Sequence, residues 1–354
     1  MTVLKENIPL LELVNINTWN KNGYNGSVHV VIFDKKGSPL KSIENAYAPF
    51  CPIFIHSHAT NVCSVIRNFS EARITMLYNN DECRRWFEEH ADEVDIVNIS
   101  MSAFKNLSEH SWGFLEKYDL PVFCSSGNDG DDELNYPSAF PWTLSIGATS
   151  KLKVVDYSNW SDSNSNDDQL DCVGITNVYV ENSDRDIFKF SGTSCSSPQV
   201  ASTVAHYAHF IKENYNRKLG RQETFDFIHA NCIDIKDTER DGYGLFVLPN
   251  IPIIEKPIIP EPEIIIIDPL SPLITTNIFY RVVTGSFEIR DNINKRINAL
   301  KAKGFDSFTL IAEVNGKAMF RCITGSFNER SNCEKRIEDL KAKGFDSFIA
   351  IYKK

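Results

Sequence analysis

The sequence predicts a doubly wound α/β domain with a mainly parallel sheet, followed by a small α+β domain made of two βαβ repeats. Three observations support this prediction: four apolar segments within residues 1–250, a proline-rich segment over residues 251–276, and an internal repeat within residues 277–354. A chain of 354 residues also exceeds what one hydrophobic core usually organises. We therefore expect two domains joined by a linker.

The four apolar segments of the first domain have the composition of buried strands. They read VHVVIF (28–33), VDIVNIS (94–100), LPVFCSS (120–126) and WTLSIGA (142–148), with helix-length stretches between them. Continuous apolar runs of this length are typical of strands in parallel sheets that helices cover on both faces. In such folds, functional sites form where strands end and loops begin.

The predicted linker reads IPIIEKPIIPEPEIIIIDPLSPLITT. Prolines at this density exclude a helix and largely exclude an internal strand. Beyond it, VVTGSFEIRDNINKRINALKAKGFDSF (282–308) recurs as CITGSFNERSNCEKRIEDLKAKGFDSF (322–348), which indicates a duplication. Each copy predicts a strand, an amphipathic helix that a glycine ends, and a second strand. The two copies are expected to form one four-stranded sheet with two helices on one face.

Composition excludes several classes of protein. The formal net charge of -10 argues against a nucleic-acid binder, because phosphate recognition relies on a concentrated basic surface. The nine cysteines show no zinc spacing, so we expect free thiols and assign no metal. The N-terminal residues lack a basic stretch followed by a continuous apolar run, so we expect neither a secretory signal nor a membrane span.

The strongest local motif is SGTSCSSP, in which Ser194 lies at the start of a long helix-compatible stretch. The first turn of a helix presents free N–H groups and a favourable dipole to a developing oxyanion. This motif resembles GTSMAxP, the nucleophile motif of the subtilisin-like serine proteases (subtilases, peptidase family S8). The resemblance implies that Ser194 is a catalytic nucleophile.

Three further motifs follow the same family's order. VVIFDKKG resembles the strand-ending aspartate motif and offers Asp34, and SHATNVCSVI resembles SHGTHVAGTI and offers His58. FCSSGNDG resembles AAGNxG and offers Asn128 as an oxyanion donor beside the Ser194 N–H. Each residue alone has a structural alternative as a turn, surface or capping residue. Together they imply an Asp34, His58 and Ser194 triad in a serine endopeptidase.

The resemblance also implies a substrate site. The main chain of Ser100, Met101 and Ser102, in VNISMS, is expected to pair with an extended polypeptide opposite residues 125–127, which are Ser125, Ser126 and Gly127. Ser102 replaces the usual glycine, which would narrow the primary specificity pocket. Cys195 replaces the usual methionine and is interpreted as a buried filler. No cofactor is required for this chemistry, and a structural calcium is possible although no site for it can be identified.

Residues 277–354 resemble the SPOR (sporulation-related repeat) domain of bacteria, through FYRVVTGSF and the repeated helix segments. The resemblance implies binding to peptidoglycan glycan strands through the open face of the sheet. The residues expected to contact glycan are at strand starts and polar loop edges: Phe279, Arg281, Thr284, Ser286, Arg321, Thr324 and Ser326. A module that mediates only protein contacts or dimerisation is the alternative.

Two hypotheses follow for the whole chain. The first is a serine endopeptidase whose C-terminal domain holds it at the bacterial cell wall. Because no signal peptide is visible, it would be made in a cytoplasm, spore mother cell or virion. The second is a catalytically inactive, subtilase-like glycan-binding or scaffold protein. The segment ENIPLLEL (6–13) is also a candidate to occupy and inhibit the cleft.

Overall fold

The computed structural model describes residues 3–161, 170–182, 184–237, 240–252, 278–287, 290–314, 317–327 and 329–353. The chain divides into two compact units, Met1–Glu255 and Lys256–Lys354. The predicted linker, residues 251–276, lies almost entirely outside the described residues. The predicted boundaries at 250/251 and 276/277 therefore stay predictions.

The first unit alternates strands and helices over most of its length. Its helices are α1 (Ile8–Leu13), α2 (Ile16–Lys21), α3 (His58–Phe69), α4 (Asp81–His90), α5 (Lys105–Trp112), α6 (Thr193–Tyr215) and α7 (Arg221–Ala230). Its strands are β1 (His29–Asp34), β2 (Ala46–Tyr47), β3 (Arg73–Tyr78), β4 (Ile96–Ile99), β5 (Val122–Ser125), β6 (Leu144–Ser150), β7 (Lys153–Val154), β8 (Cys172–Ile175), β9 (Val178–Glu181), β10 (Ile187–Phe190), β11 (Cys232–Ile233) and β12 (Leu245–Phe246). All four strands expected from the apolar segments are present, as β1, β4, β5 and β6.

The main sheet has ten strands within the described residues, in the order β11-β12-β8-β6-β5-β4-β1-β3-β2, with β7 paired to β6. From β2 to β12 its neighbouring strands run parallel. The carboxyl ends of β1, β4 and β5 therefore lie side by side. The predicted doubly wound, mainly parallel fold is confirmed.

Strand β1 shows why both faces of the sheet are apolar. Val30 and Ile32 pack into one core together with α3 and α6. Val31 and Phe33 point to the other face and pack into a second core with residues of α4 and α5. Alternate side chains of a strand face opposite sides of the sheet. A strand that is buried on both sheet faces therefore requires a continuous apolar run.

The second unit forms a four-stranded sheet in the order β14-β15-β13-β16, with antiparallel neighbours. Its elements are β13 (Ile278–Phe287), α8 (Arg290–Lys301), β14 (Phe308–Val314), β15 (Lys317–Phe327), α9 (Arg330–Ala342) and β16 (Phe348–Lys353). The core between the sheet and the two helices includes Val282, Leu300, Cys322 and Leu340. This is the predicted small α+β domain with two helices on one face.

Among the described residues, no helix combines the length and apolar composition that crossing a membrane requires. All nine cysteines are free, and eight of them are buried.

Candidate active site

Asp34 and His58 meet at the carboxyl end of β1. Asp34 is the last residue of β1, and His58 is the first residue of α3. His58 Nδ1 lies 2.8 Å from Asp34 Oδ1 and 3.0 Å from Asp34 Oδ2. A carboxylate only accepts hydrogen bonds, so the imidazole proton lies on Nδ1 and the lone pair of Nε2 is left to accept another proton.

The surroundings hold this pair in place. The Asp34 side chain has no exposed surface, and the His58 side chain is 26% exposed. The Lys35 N–H donates to Asp34 Oδ1 at 2.6 Å. At the start of α3, Thr60 Oγ1 accepts from the Ser57 N–H at 3.0 Å and donates to the Ser38 carbonyl at 2.9 Å. These bonds anchor the helix turn that carries His58.

Ser194 lies at the second position of α6, where a glycine makes the entry to the helix possible. Gly192 has φ +101, a conformation that residues with a Cβ rarely adopt. Ser194 Oγ donates to the main-chain carbonyl of Ser100 at 3.1 Å. A hydroxyl has one proton, so in this unliganded structure that proton is directed at Ser100 and not at His58. A hydrogen bond from a serine hydroxyl to a neighbouring histidine commonly forms only when substrate is bound.

Asn128 is oriented by Thr193, the residue before Ser194. Its Oδ1 accepts from the Thr193 N–H at 2.8 Å and from Thr193 Oγ1 at 3.1 Å. Because both donors use the oxygen, the Nδ2 group of Asn128 is left to donate elsewhere. The Ser194 N–H makes no hydrogen bond to the described residues. Two donors are thus available at the start of α6, as an oxyanion site requires.

The two sides of the predicted substrate site differ. The main-chain groups of Met101 and Ser102 form no hydrogen bond with any described residue, and Ser102 is exposed. On the other side, the Ser126 carbonyl accepts from the Asn135 N–H at 2.8 Å, and the Gly127 carbonyl accepts from the Asn159 N–H at 3.1 Å. The edge at 100–102 is therefore open to a partner strand.

Residues 125–127 have their main-chain groups occupied. Ser125 belongs to β5, which pairs with β6 on one side and β4 on the other. Ser126 is fully buried. These three residues can form a wall of the cleft, but two of their carbonyls are not available for strand pairing with a ligand.

Cys195, next to the nucleophile, is fully buried. Burial raises the pKa of its thiol to about 12, so the thiol is neutral at physiological pH and cannot act as a nucleophile. The interpretation of Cys195 as a buried filler fits this placement.

The structure also identifies contacts that the sequence did not suggest. The Phe190 ring lies edge-on to the His58 imidazole, with ring centroids 5.4 Å apart. Phe190 ends the hairpin of β9 and β10. The one sequence signal for Phe190 near the site is its position four residues before Ser194, in FSGTS. It limits the space in which the imidazole can rotate.

The N-terminal segment 6–13 does not occupy the cleft, and that suggestion is wrong. Asn7 is fully buried, where its side chain exchanges two 2.9 Å hydrogen bonds with the main chain of Tyr179. The Leu4 N–H donates to Asn68 Oδ1, at the far end of α3. Asn68 is ten residues after His58, which is ~15 Å along a helix. The segment packs beside β9 instead.

Histidines outside the site have packing roles. His206 is fully buried between Ser202 O and Asn20 Oδ1, and burial lowers its pKa to about 4. His29 Nε2 is hydrogen-bonded to Thr75 Oγ1, and His29 Nδ1 is hydrogen-bonded to the Arg73 guanidinium. Burial lowers the pKa of His29 to about 4. Within the described ranges, no three His, Cys, Asp or Glu side chains are grouped as a metal site would require.

The candidate glycan contacts fall into two groups. Thr284 and Thr324 are each 2% exposed, and their hydroxyls donate to the carbonyls of Cys322 and Val282. Their prediction as glycan contacts is wrong, since these hydroxyls are buried between strands. The remaining candidates stay predictions; Arg281, Ser286 and Arg321 are half-buried, Ser326 is exposed, and Phe279 lies in β13.

The open face of the second sheet carries an apolar row that the sequence analysis missed. Strand register places Phe308 beside Ile323, Ile323 beside Val283, and Val283 beside Phe348. Their chain neighbours Val282, Cys322 and Ile349 pack against the helices, so this row faces the other way. Phe308 and Phe348 are each 47% exposed. Both end the repeated GFDSF sequence, in which the sequence indicates only a helix stop and a return to strand.

The first unit has a subtilisin-like fold, in which Asp34 and His58 are paired and Asn128 is bonded to Thr193, the residue before Ser194. Comparison with protein families agrees. The Subtilase family matches residues 59–225, a range that includes Asn128 and Ser194 and begins just after His58. The SPOR domain matches residues 276–350. The chain therefore contains a subtilase-family domain followed by a SPOR domain.

Curated relatives share the first unit. The Major intracellular serine protease of Bacillus subtilis (strain 168) is 28% identical over 38% of this chain and 43% of its own length. The Intracellular serine protease of Paenibacillus polymyxa is 26% identical over 44% of this chain and 49% of its own length. The chain thus aligns with less than half the length of these relatives.

Solved structures share the fold. The prenylagaramide maturation protease PagA has a TM-score of 0.54 at 19% identity, covering 68% of this chain and 95% of PagA. A cold adapted subtilisin-like serine proteinase has a TM-score of 0.52 at 16% identity, covering 64% of this chain and 90% of the other.

Proposed function

We propose that this protein is a serine endopeptidase that hydrolyses peptide bonds through an acyl-enzyme. The observation that carries the proposal is the buried Asp34 carboxylate, 2.8 Å from His58 Nδ1, which leaves His58 Nε2 to act as a base. The imidazole lies 5.4 Å from the ring of Phe190, four residues before Ser194. The family match and the subtilisin-like fold support it.

In the proposed reaction, the Ser194 hydroxyl turns from the Ser100 carbonyl to His58 Nε2. His58 removes the proton as Ser194 Oγ attacks the substrate carbonyl, and Asp34 stabilises the imidazolium that forms. The Ser194 N–H and Asn128 Nδ2 donate to the oxyanion. His58 then gives its proton to the leaving amine, and water hydrolyses the ester that remains.

The substrate is proposed to be an extended polypeptide that pairs with the open edge at Met101 and Ser102. The Ser100 carbonyl becomes free for a substrate N–H when Ser194 turns away. Main-chain pairing of this kind recognises the polypeptide backbone and not one particular sequence.

Loss of the nucleophile tests the endopeptidase proposal. In Ser194→Ala we expect hydrolysis of an unfolded protein substrate to fall by ~10⁶-fold, because no other group can form the acyl-enzyme. Ser202→Ala removes another hydroxyl of the same helix, which donates to Gln199 O, and serves as the matched control. Hydrolysis that persists in Ser194→Ala would remove the proposal and favour the inactive scaffold.

We further propose that the second unit holds the protein at peptidoglycan glycan strands. The SPOR match and the exposed pair Phe308 and Phe348, on a sheet face away from the helices, support this proposal. Exposed large apolar side chains on one surface commonly mark a binding site. A glycan-bound module would also raise the local concentration of the protease domain near wall-associated proteins.

Co-sedimentation with purified peptidoglycan sacculi tests the second proposal. We expect Phe308→Ala and Phe348→Ala each to weaken retention by ~10-fold, the size of a 1.4 kcal/mol loss. Ile187→Ala removes an exposed apolar side chain from the first unit and is the matched control. Equal retention of all variants would remove the two phenylalanines from the proposed contact, and a wild-type protein that is not retained would favour a protein-contact role for this sheet.

A further inference from the structure

A buried amide connects the nucleophile helix to the proposed substrate edge. Asn98 lies in β4, where its neighbours Val97 and Ile99 are apolar. Ser197 Oγ donates to Asn98 Oδ1 at 2.8 Å, and Asn98 Nδ2 donates to Ser100 Oγ at 2.9 Å. Asn98 and Ser197 have no exposed surface, and Ser100 is 3% exposed.

Burying an amide at this position costs free energy, and formation of the strand does not require an amide. A buried polar group is unfavourable unless it is hydrogen-bonded, and apolar residues fill the rest of β4. Packing alone would be served by another apolar side chain. The two hydrogen bonds of Asn98 are therefore the feature that needs an explanation.

These bonds form the inner of two connections between α6 and Ser100. Ser197 lies three residues after Ser194, so both side chains lie on the same face of the helix. The outer connection is the bond from Ser194 Oγ to the Ser100 carbonyl. The inner one runs from Ser197 through Asn98 to the Ser100 hydroxyl.

The proposed reaction breaks the outer connection and leaves the inner one. When Ser194 turns to His58, its hydroxyl leaves the Ser100 carbonyl, at the moment when substrate must be aligned on that edge. The inner connection contains no reacting atom, so it persists through the reaction. Small displacements between a substrate edge and a nucleophile can cost large factors in rate.

We propose that Asn98 is a positioning residue that, with Ser197, holds the substrate edge at Ser100 in register with Ser194. This inference rests on the proposed endopeptidase function. Asn98 touches neither the substrate nor the reacting atoms. It acts through Ser100, and its effect should be seen only with ligands long enough to reach the edge at 100–102.

Two kinds of active-site reagent separate positioning from reactivity. An alkyl fluorophosphonate needs the triad and the oxyanion donors alone. A pool of capped tetrapeptidyl diphenylphosphonates also pairs along the edge, and its single-residue counterpart does not. Second-order rate constants for labelling Ser194 are measured with each reagent on the full-length protein. The readout is the ratio of the tetrapeptidyl rate constant to the fluorophosphonate rate constant.

The test uses Ser197→Ala, because Asn98→Ala removes both bonds at a fully buried position and endangers folding. We expect the ratio to fall about tenfold in Ser197→Ala and to recover in Ser197→Thr, which keeps the hydroxyl. Ser202→Ala is the matched control, since this equally buried hydroxyl of α6 donates within its own helix. A general loss of stability would lower both rate constants and leave their ratio unchanged.

The outcomes distinguish the inference from the function on which it rests. An unchanged ratio in a Ser197→Ala protein that the fluorophosphonate still labels would overturn the inference alone. A tetrapeptidyl reagent no faster than its single-residue counterpart on the wild-type protein would overturn it too, because the edge then contributes nothing. Absence of fluorophosphonate labelling in the wild-type protein would overturn both the proposed function and the inference.

Discussion

Replacement of Asp34 by asparagine changes one atom of the proposed triad and leaves its shape intact. The Lys35 N–H lies 2.6 Å from Asp34 Oδ1 and requires an acceptor there. The asparagine oxygen therefore takes the Oδ1 position, 2.8 Å from His58 Nδ1, and its NH₂ group takes the Oδ2 position, 3.0 Å from the same nitrogen. Because one of the two acceptors at Nδ1 becomes a donor and the other is shared with Lys35, the tautomer with the proton on Nε2 is favoured relative to the wild type.

The magnitude follows from the loss of the base. With Nε2 protonated, His58 cannot accept the Ser194 proton, and the negative charge that stabilises the imidazolium is also removed. We expect kcat to fall by ~10⁴-fold, the cost typical of a triad aspartate replaced by asparagine. At ~1.4 kcal/mol per factor of ten, this equals about 5 to 6 kcal/mol of transition-state stabilisation.

Steady-state hydrolysis of a fluorogenic peptide pool measures this effect, with thermal unfolding as the check on folding. Asp156→Asn is the matched control, because its carboxylate is 93% exposed and lies 3.9 Å from Arg240 on the surface. It should leave kcat unchanged. A well-folded Asp34→Asn protein with kcat within tenfold of the wild type would refute the role of Asp34 as the residue that orients His58.

Three further predictions concern other parts of the molecule. Asn128→Leu should lower kcat by ~10²- to 10³-fold with little change in KM, because Asn128 Nδ2 donates only to the oxyanion. Hydrolysis of the same peptides measures both constants. A change confined to KM would contradict this role. Burial lowers the pKa of His206 to about 4. Between pH ~6.5 and ~4 the unfolded chain therefore binds a proton that the folded protein does not. The free energy of unfolding decreases as the pH is lowered through this range, by at most ~1.4 kcal/mol per pH unit. Urea unfolding at two pH values should show a shallower loss in His206→Gln than in the exposed-site control His110→Gln, and equal slopes would refute it. Cys195→Ala should retain labelling and turnover within about threefold, because the neutral, buried thiol takes no part in the chemistry.

The sheet could be predicted from the sequence, and the candidate triad could be proposed from it, because both rest on local signals. Residues 30–33 form an uninterrupted apolar run, and burial on both sheet faces requires such a run. Asp34 followed it directly, and the glycine before Thr193 and Ser194 is needed for the turn into α6. Each of these features is encoded within a few residues, so no distant contact was needed to find it.

Other parts of the site depend on distant contacts that spacing does not encode. Ser194 and Ser100 are 94 positions apart, and Ser197 and Asn98 are 99 positions apart. The Thr284 hydroxyl is buried and donates to the Cys322 carbonyl, 38 positions away, so the polar character of Thr284 alone does not place it on the open face of the sheet.

The central claim is that Asp34, His58 and Ser194 form a working triad. Labelling of the purified protein with a fluorophosphonate probe, followed by peptide mass analysis to locate the modified residue, tests it most directly. We predict modification at Ser194 that disappears in Ser194→Ala and is slowed strongly in Asp34→Asn. A well-folded wild-type protein that remains unlabelled, or one labelled at another residue, would contradict the account.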